Sequence, residues 1–555
     1  MASGVGHLPL VKFIFQHVEP SLPNEDAISL SIALAATYGH ADVVENLAVF
    51  IEDPNAARFG TTLIHLAAEN GHVEVVNVLM NYPNSLINAP DYRGYTPIYL
   101  AAYNGHSEVV RILMTQCYYT ANTRNITGWT PIHIAAQNGH VNVVNALAPS
   151  TSTPNAPDYS GRTPIHSAAQ YGHLSTVKAL MLYTFTPNAP DHRRCTPIHY
   201  AAYNGHTKIV TALMKHVNTY TPDAPDFEGW TPIHCACETG YIEVVKALVP
   251  LSKYFNNSNI FGWTPIHTAA RNGHTEIVKF LVACNPAAIN ALNYLGQTPV
   301  HVAAKRGHIK VLEFLVANDF YVSNAKDIRG LTPIHLAAQK GYVEVVKLLV
   351  HYTLTPNAQD NFGCTPIHLA AKKGHIEVVE FLMDYTYIPN SKDNEGRTPI
   401  HNASYWGHTK IIKTLMNHEN VYKMKMYIPN IPDDLGLTPL HYASQQGHVE
   451  VVNFLLFLGG FNYSAKNGIT PLCMAAENGH LEVVKVLLKK EIEIGQGNLA
   501  SCIEPYRYAV KNDHYCISIY IRSEILGSFK TITHQHFEAL DEELDDMLHW
   551  CFDRI

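Results

Sequence analysis

Residues Gly229–Leu248 read GWTPIHCACETGYIEVVKAL. Thr231 followed by Pro232 marks a helix start. A Thr side chain suits the N-cap, and Pro fits the first helical position, where its missing N–H has no partner to lose. Gly240 stops this helix, and IEVVKAL carries apolar residues at helical spacing for a second one. The first helix also holds His234, Cys235 and Cys237, residue types that ligate zinc. A helix places His234 and Cys237 on one face and turns Cys235 away, so at most two ligands converge.

The stretch recurs. GWTPIHIAAQNGHVNVVNAL begins at Gly128, GRTPIHSAAQYGHLSTVKAL at Gly161 and GLTPIHLAAQKGYVEVVKLL at Gly330. The internal glycine returns at Gly39, Gly71, Gly105, Gly139, Gly172, Gly205, Gly240, Gly273, Gly307, Gly341, Gly374, Gly407, Gly447 and Gly479. The gaps are about 32 to 35 residues, with one of about 40 before Gly447, a period that signals a solenoid. Between units lies a turn of the type Asp-x-x-Gly, as in Asp91–Gly94, Asp158–Gly161 and Asp327–Gly330; Asp and Gly suit its two ends. One unit cannot bury its apolar face alone, so stacking must supply the core. In register, Cys237 takes the small position held elsewhere by Ala136, Ala169 and Ala202. It reads as a small apolar residue rather than a metal ligand.

Composition agrees with a folded chain too long for one ordinary core. Of 555 residues 47% are hydrophobic and 15% charged, and the net charge of −8 argues against a general nucleic-acid binder. The 10 cysteines lack the dense spacing of a disulfide scaffold. The N-terminal stretch reads as neither signal peptide nor myristoylation site. The longest apolar run, from Val451, is about half of a membrane-spanning helix. A cytoplasmic, or alternatively nuclear, protein is expected.

With its Thr-Pro-Ile-His motif and period of about 33 residues, the chain resembles the ankyrin-repeat family. The resemblance runs from Gly39 to about Leu488, about fourteen units. It implies an all-α solenoid of helix-turn-helix units with short β-turn fingers. The expected organisation is an N-terminal half-repeat cap (1–27), ankyrin repeats (28–488), a degenerate capping repeat (489–525) with Asp513 in the glycine position, and an acidic amphipathic helix (526–555). The half-repeat is either a cap or the remainder of a unit that starts earlier. The insertion near residue 420 is expected to lengthen a second helix or bulge as a loop. Most of the 33 histidines fall at the signature position or after the glycine. The resemblance implies that they hydrogen-bond within and between units.

Phosphate-binding loops, nucleophile elbows, H-E-x-x-H and kinase signatures are absent from the sequence, so neither catalysis nor a cofactor is expected. His534, His536, His549 and Cys551 near the C-terminus are a weak metal candidate. Phe537, Leu540, Leu544, Met547, Leu548 and Cys551 instead form an apolar helical stripe flanked by acids.

The resemblance also implies that partners dock on the concave side. The contacts come from the two residues inside Asp-x-x-Gly, the one after its Gly, and the two after the Ala-Ala pair. Those positions hold Tyr92, Tyr95, Tyr103, Trp129, Tyr159, Tyr171, Tyr203, Phe227, Trp230, Phe261, Trp263 and Trp406, aromatic types favoured in binding hot spots. The same rule selects a basic series, Arg271, Lys305, Arg306, Lys340, Lys372 and Lys373, suited to an acidic segment of a protein partner. The expected function is a non-catalytic intracellular scaffold or adaptor that binds proteins, with neither nucleic acid nor membrane insertion. The alternatives are a substrate-recruiting subunit of a ubiquitin ligase or similar complex, acting through the tail, and an enzyme whose chemistry lies in the tail.

Overall fold

The computed structural model describes residues 25–48, 61–82, 86–116, 118–151, 153–215, 222–385, 390–417, 429–459, 464–494 and 499–528. The expected N-terminal half-repeat up to residue 24, the insertion at 418–428 and the tail from 529 onward lie outside the described residues. The regular elements among those described are α-helices with a few short 3-10 turns. The chain divides into two compact units, Met1–Tyr294 and Leu295–Ile555.

In the first unit, short helices alternate in pairs from Glu25–Tyr38 and Ala41–Ala48 to Pro265–Arg271 and Thr275–Cys284. Each first helix packs beside the first helix of the next pair, and second helices pack likewise. Thr231 shows how a pair begins. It has extended backbone, φ −99° and ψ 164°, with Pro232 at the first helical position. At the far end Gly139 adopts φ +75°, where a Cβ would lie 2.4 Å from His173 Nδ1. The left-handed turn and the approaching ring both require glycine there. Between the helices of one pair, Ile132, Ala135, Ala136, Val143, Val144 and Leu147 are almost fully buried. Each large aliphatic residue so buried contributes about 1.5–3 kcal/mol.

The second unit repeats the plan from Pro299–Arg306 and Ile309–Asn318 to Pro471–Glu477 and Leu481–Ile494. A last pair, Leu499–Lys511 and Tyr515–Ser528, packs on the helices Pro471–Glu477 and Leu481–Ile494. In it Asp513 adopts φ +61°, the left-handed conformation that glycine holds elsewhere. Asp is one of the few other residues that tolerates it.

Histidine joins neighbouring repeats inside each unit. The ring of His133 is buried, accepts the Thr130 N–H at Nδ1 (3.1 Å) and reaches the Arg162 carbonyl from Nε2 (3.2 Å). A carbonyl only accepts, so Nε2 carries the proton and Nδ1 does not. This is a capping box with His in the usual place of Glu. It recurs at His166, His199 and His234 in the first unit and at His301, His335, His368, His401 and His441 in the second. Burial lowers the pKa of His133, His166, His234, His335 and His401 to about 4. A second row points the other way. His140 Nε2 donates to the Tyr103 carbonyl of the preceding repeat, and His480 Nε2 to that of Gln445. The histidines therefore bond within and between repeats, as the resemblance implies.

Candidate interaction surface

The interhelical turns are built on one side chain. Asp91 Oδ1 accepts the N–H groups of Arg93 and Tyr95. Asn125, Asp158, Asp226 and Asn259 do the same in the first unit, and Asp327, Asp360, Asp393 and Asp433 in the second. Such local bonds hold a tight turn that projects its two middle residues. From Thr127 onward, successive tips also pair through one backbone bond inside each unit. Ile260 N–H donates to the Glu228 carbonyl, and Asn394 N–H to that of Phe362. These tips thus stand in fixed register.

Several recognition candidates are exposed on this frame. At the tips of the first unit, Tyr92 is 65% exposed, and Tyr159, Phe227 and Phe261 are also exposed. Tyr103, Tyr171 and Tyr203 stand exposed at the ends of first helices. Trp406, in the second unit, is 47% exposed. The sequence reading missed other members of the tip row: Ile126, Ile260 and Tyr294 in the first unit, and Leu295, Ile328, Phe362 and Leu435 in the second. They occupy the same two positions inside the Asx-x-x-Gly turn. Counting aliphatic residues with the aromatic ones would have found Ile126, Ile260, Leu295, Ile328 and Leu435, and applying the rule to every turn would have found Tyr294 and Phe362.

Trp129, Trp230, Trp263 and Tyr95 differ from the sequence expectation in exposure: all four are half-buried. Trp129 Nε1 donates to Asp158 Oδ2 of the next turn at 3.0 Å, and the ring stacks on His133. Tyr95 stacks on Tyr99 with ring centroids 4.5 Å apart. Where the next turn is built on Asp, its second carboxylate oxygen is free to accept a bond from the residue after the turn glycine, as Asp158 does from Trp129. Cys195 and Asp226 meet in the same way in the first unit, and Gln297 and Asp327 in the second. This position joins repeats, whereas the two middle residues of each turn face outward.

The ends of the first helices differ between the units. In the first, the residue before the closing glycine is often Asn, whose amide bonds backbone carbonyls: Asn70 to Leu66, Asn104 to Leu100 and Glu69, Asn138 to Tyr103. In the second it is Arg306, Lys340 and Lys373, all exposed, and then Trp406. Lys372 and Lys373 place their ammonium nitrogens 5.9 and 5.8 Å from the Trp406 ring centroid, within cation–π range. Lys305 is half-buried. Arg271, in the first unit, is half-buried with its guanidinium 5.4 Å from the Trp263 ring centroid.

His234 has both ring nitrogens engaged, by Thr231 and by the Trp263 carbonyl. Cys237 is fully buried, and that burial raises its thiol pKa well above the ordinary value. The trio is part of the packing. Among the described residues no group of three or more His, Cys, Asp or Glu side chains is arranged to hold a metal ion, and no helix is long and apolar enough to cross a membrane. His534, His536, His549 and Cys551 lie outside the described residues.

Comparison with known families agrees with this geometry. The model of ankyrin repeats, in three-copy form, matches overlapping segments from 1–91 through 181–259 and 318–393 to 417–498. No curated protein matches the chain. The matched segments span nearly all of residues 1–498, and the chain belongs to the ankyrin-repeat family, whose repeats are generally protein–protein interaction modules.

Proposed function

We propose that the chain is a non-catalytic scaffold or adaptor that binds protein partners on the face made by its turn tips and first-helix ends. One observation carries this reading. The buried polar groups of the repeats are largely engaged in joining repeats, while large apolar side chains stand exposed in register at the tips. Tyr92, Tyr159, Phe227 and Phe261 stand exposed, Tyr92 and Tyr159 with Arg93 and Arg124 over their rings. Aromatic side chains are enriched among the residues that dominate binding energy in protein interfaces. An acidic segment of a partner suits the basic ends of the second unit.

The test is affinity capture from the source cell with the wild-type chain and with Tyr92→Ala, Tyr159→Ala, Phe227→Ala and Phe261→Ala combined. The combined variant is expected to lose partners while keeping its thermal midpoint. A full set of retained partners would refute the assignment of the tips. Deleting residues 526–555 separates roles: an adaptor keeps its partners, whereas a recruiting subunit loses the class held by the tail.

A further inference from the structure

In the second unit, Arg306, Lys340, Lys373 and Trp406 occupy one register position, the residue before the closing glycine of four successive first helices. Those helices pack side by side, so equivalent side chains repeat at ~10 Å, the usual spacing of packed helices. An extended peptide advances ~3.3 Å per residue, so three residues cover the same ~10 Å. The series ends sharply, because the next two equivalents are the neutral Gln446 and Asn478.

We propose that this column reads an extended acidic protein segment with a carboxylate at every third residue and an apolar side chain at one end. This deepens the scaffold reading and rests on it. Arg306, Lys340 and Lys373 each face one carboxylate. The exposed Trp406 ring receives the apolar side chain, with Lys372 and Lys373 beside it.

Stabilisation of the helix end by positive charge does not account for the series. Equivalent helix ends in the first unit close with Asn70, Asn104 and Asn138 and form without a cation in the last turn; of the described first helices there, only Pro265–Arg271 carries one, as Arg271. Among the described residues, no carboxylate pairs with Arg306, Lys340, Lys372 or Lys373, whereas Lys347 pairs with Glu344 on a second helix of the same unit. A nucleic acid fits less well. The column is only three charges long, it ends on a ring, and the whole chain carries −8.

The experiment titrates the full chain with fluorescent ten-residue peptides at low salt. One carries Glu at its first, fourth and seventh positions and Leu at its tenth; a second carries the reversed pattern. A third has the same composition with the three Glu adjacent, and the last probe is a ten-nucleotide RNA. One of the spaced peptides is expected to bind about tenfold more tightly than the bunched one, since aligned ion pairs add small increments. Raising the salt should weaken this binding. Lys340→Glu should abolish the preference without shifting the thermal midpoint. Equal binding of spaced and bunched peptides, a preference that survives Lys340→Glu, or stronger binding of the RNA would each overturn the proposal. If the spacing preference is absent but the tip variant still loses captured partners, only the register fails. If the wild-type chain also captures no partner, the scaffold reading fails with it.

Discussion

The residue before the closing glycine of a first helix is Asn in much of the first unit and Arg or Lys in the first three repeats of the second. The helices around it are alike in length, cap and packing. In the first unit the Asn amide turns back onto carbonyls of its own or the preceding helix, as Asn104 does with Leu100 and Glu69. In the second, Lys340 and Lys373 extend into solvent. One position therefore serves architecture in much of one unit and is released from it in the first three repeats of the other, while Asn478 later in that unit again bonds the Met474 carbonyl. The fold tolerates the exchange because the glycine, the histidine joint and the buried aliphatic residues already hold the helix end. A repeat protein can change its surface at such a position without changing its stack.

The largest predicted effect tests whether the units hold themselves separately. Gly139→Val places a branched side chain at φ +75°, against the His173 ring. Left-handed backbone and the clash together are expected to cost about 3 kcal/mol or more. Stability in repeat arrays is a sum of local terms. Calorimetry should therefore show a transition of the first unit moved to lower temperature and one of the second unit little changed. Gly341→Val, where a Cβ would meet His375 Nδ1 at 2.5 Å, should reverse the pattern. A single transition that moves as a whole in both variants would refute separate units.

Acid should affect both units through the histidine joints, except in repeats without that histidine, such as those with Tyr99 in the first unit and Cys473 in the second. The rings of His133, His166, His234, His335 and His401 are neutral and titrate near 4, below the ordinary 6.5, because burial disfavours their charged form. Protonating Nδ1 would also break its bond to the Thr N–H. The unfolded chain binds these protons first, so the joints contribute fully above about pH 6.5. Their contribution declines as pH falls from there toward about 4. Hydrogen exchange at pH 4.5 against pH 7, corrected for intrinsic rate, should show loss of protection at the amides of Thr130, Thr231 and Thr332. The repeat that begins at Thr470 has Cys473 in the histidine position, with its thiol bonded within the repeat to Thr470. Its amides should respond less. Equal loss of protection there would show that histidine protonation is not the cause.

The fold was legible because its rules are local and repeated. Thr-Pro, the small pair, the glycine and the aliphatic spacing each have a direct physical meaning, and every copy confirmed the others. The surface was legible in part. The family resemblance pointed to the two middle residues of the turns, and Tyr92, Tyr159, Phe227 and Phe261 stand exposed there, as do Ile126 and Phe362, which were missed. The position after the turn glycine was not legible in the same way. Whether Trp129 faces solvent depends on the second oxygen of Asp158, a residue about one repeat away in sequence, and periodicity carries no information about where a side chain leans. The Asn amides that close the first helices were also missed, because an Asn near a helix end reads as an ordinary polar stop.

The smallest predicted effect concerns the small pair itself. In the first unit its second member is Ala136, Ala169, Ala202 or Cys237, all fully buried and free of unmet polar groups. In the second unit two repeats have Ser404 and Ser444 instead, also fully buried, and neither hydroxyl has a hydrogen-bond partner among the described residues. A buried hydroxyl left unpaired costs about 1–3 kcal/mol by comparison with an apolar group of similar shape. Ser404→Ala and Ser444→Ala remove one oxygen and leave only a small void, which offsets part of the gain. Each is expected to stabilise the second unit by about 1 kcal/mol. The two positions belong to adjacent repeats, so their effects should add only partly. Calorimetry should show the second-unit transition rising while the first stays in place. The converse, Ala136→Ser, should lower the first by a similar amount. If both Ser→Ala variants instead lowered the second transition, the hydroxyls would be bonding partners of real value, and the two units would differ in their interiors as well as at their helix ends.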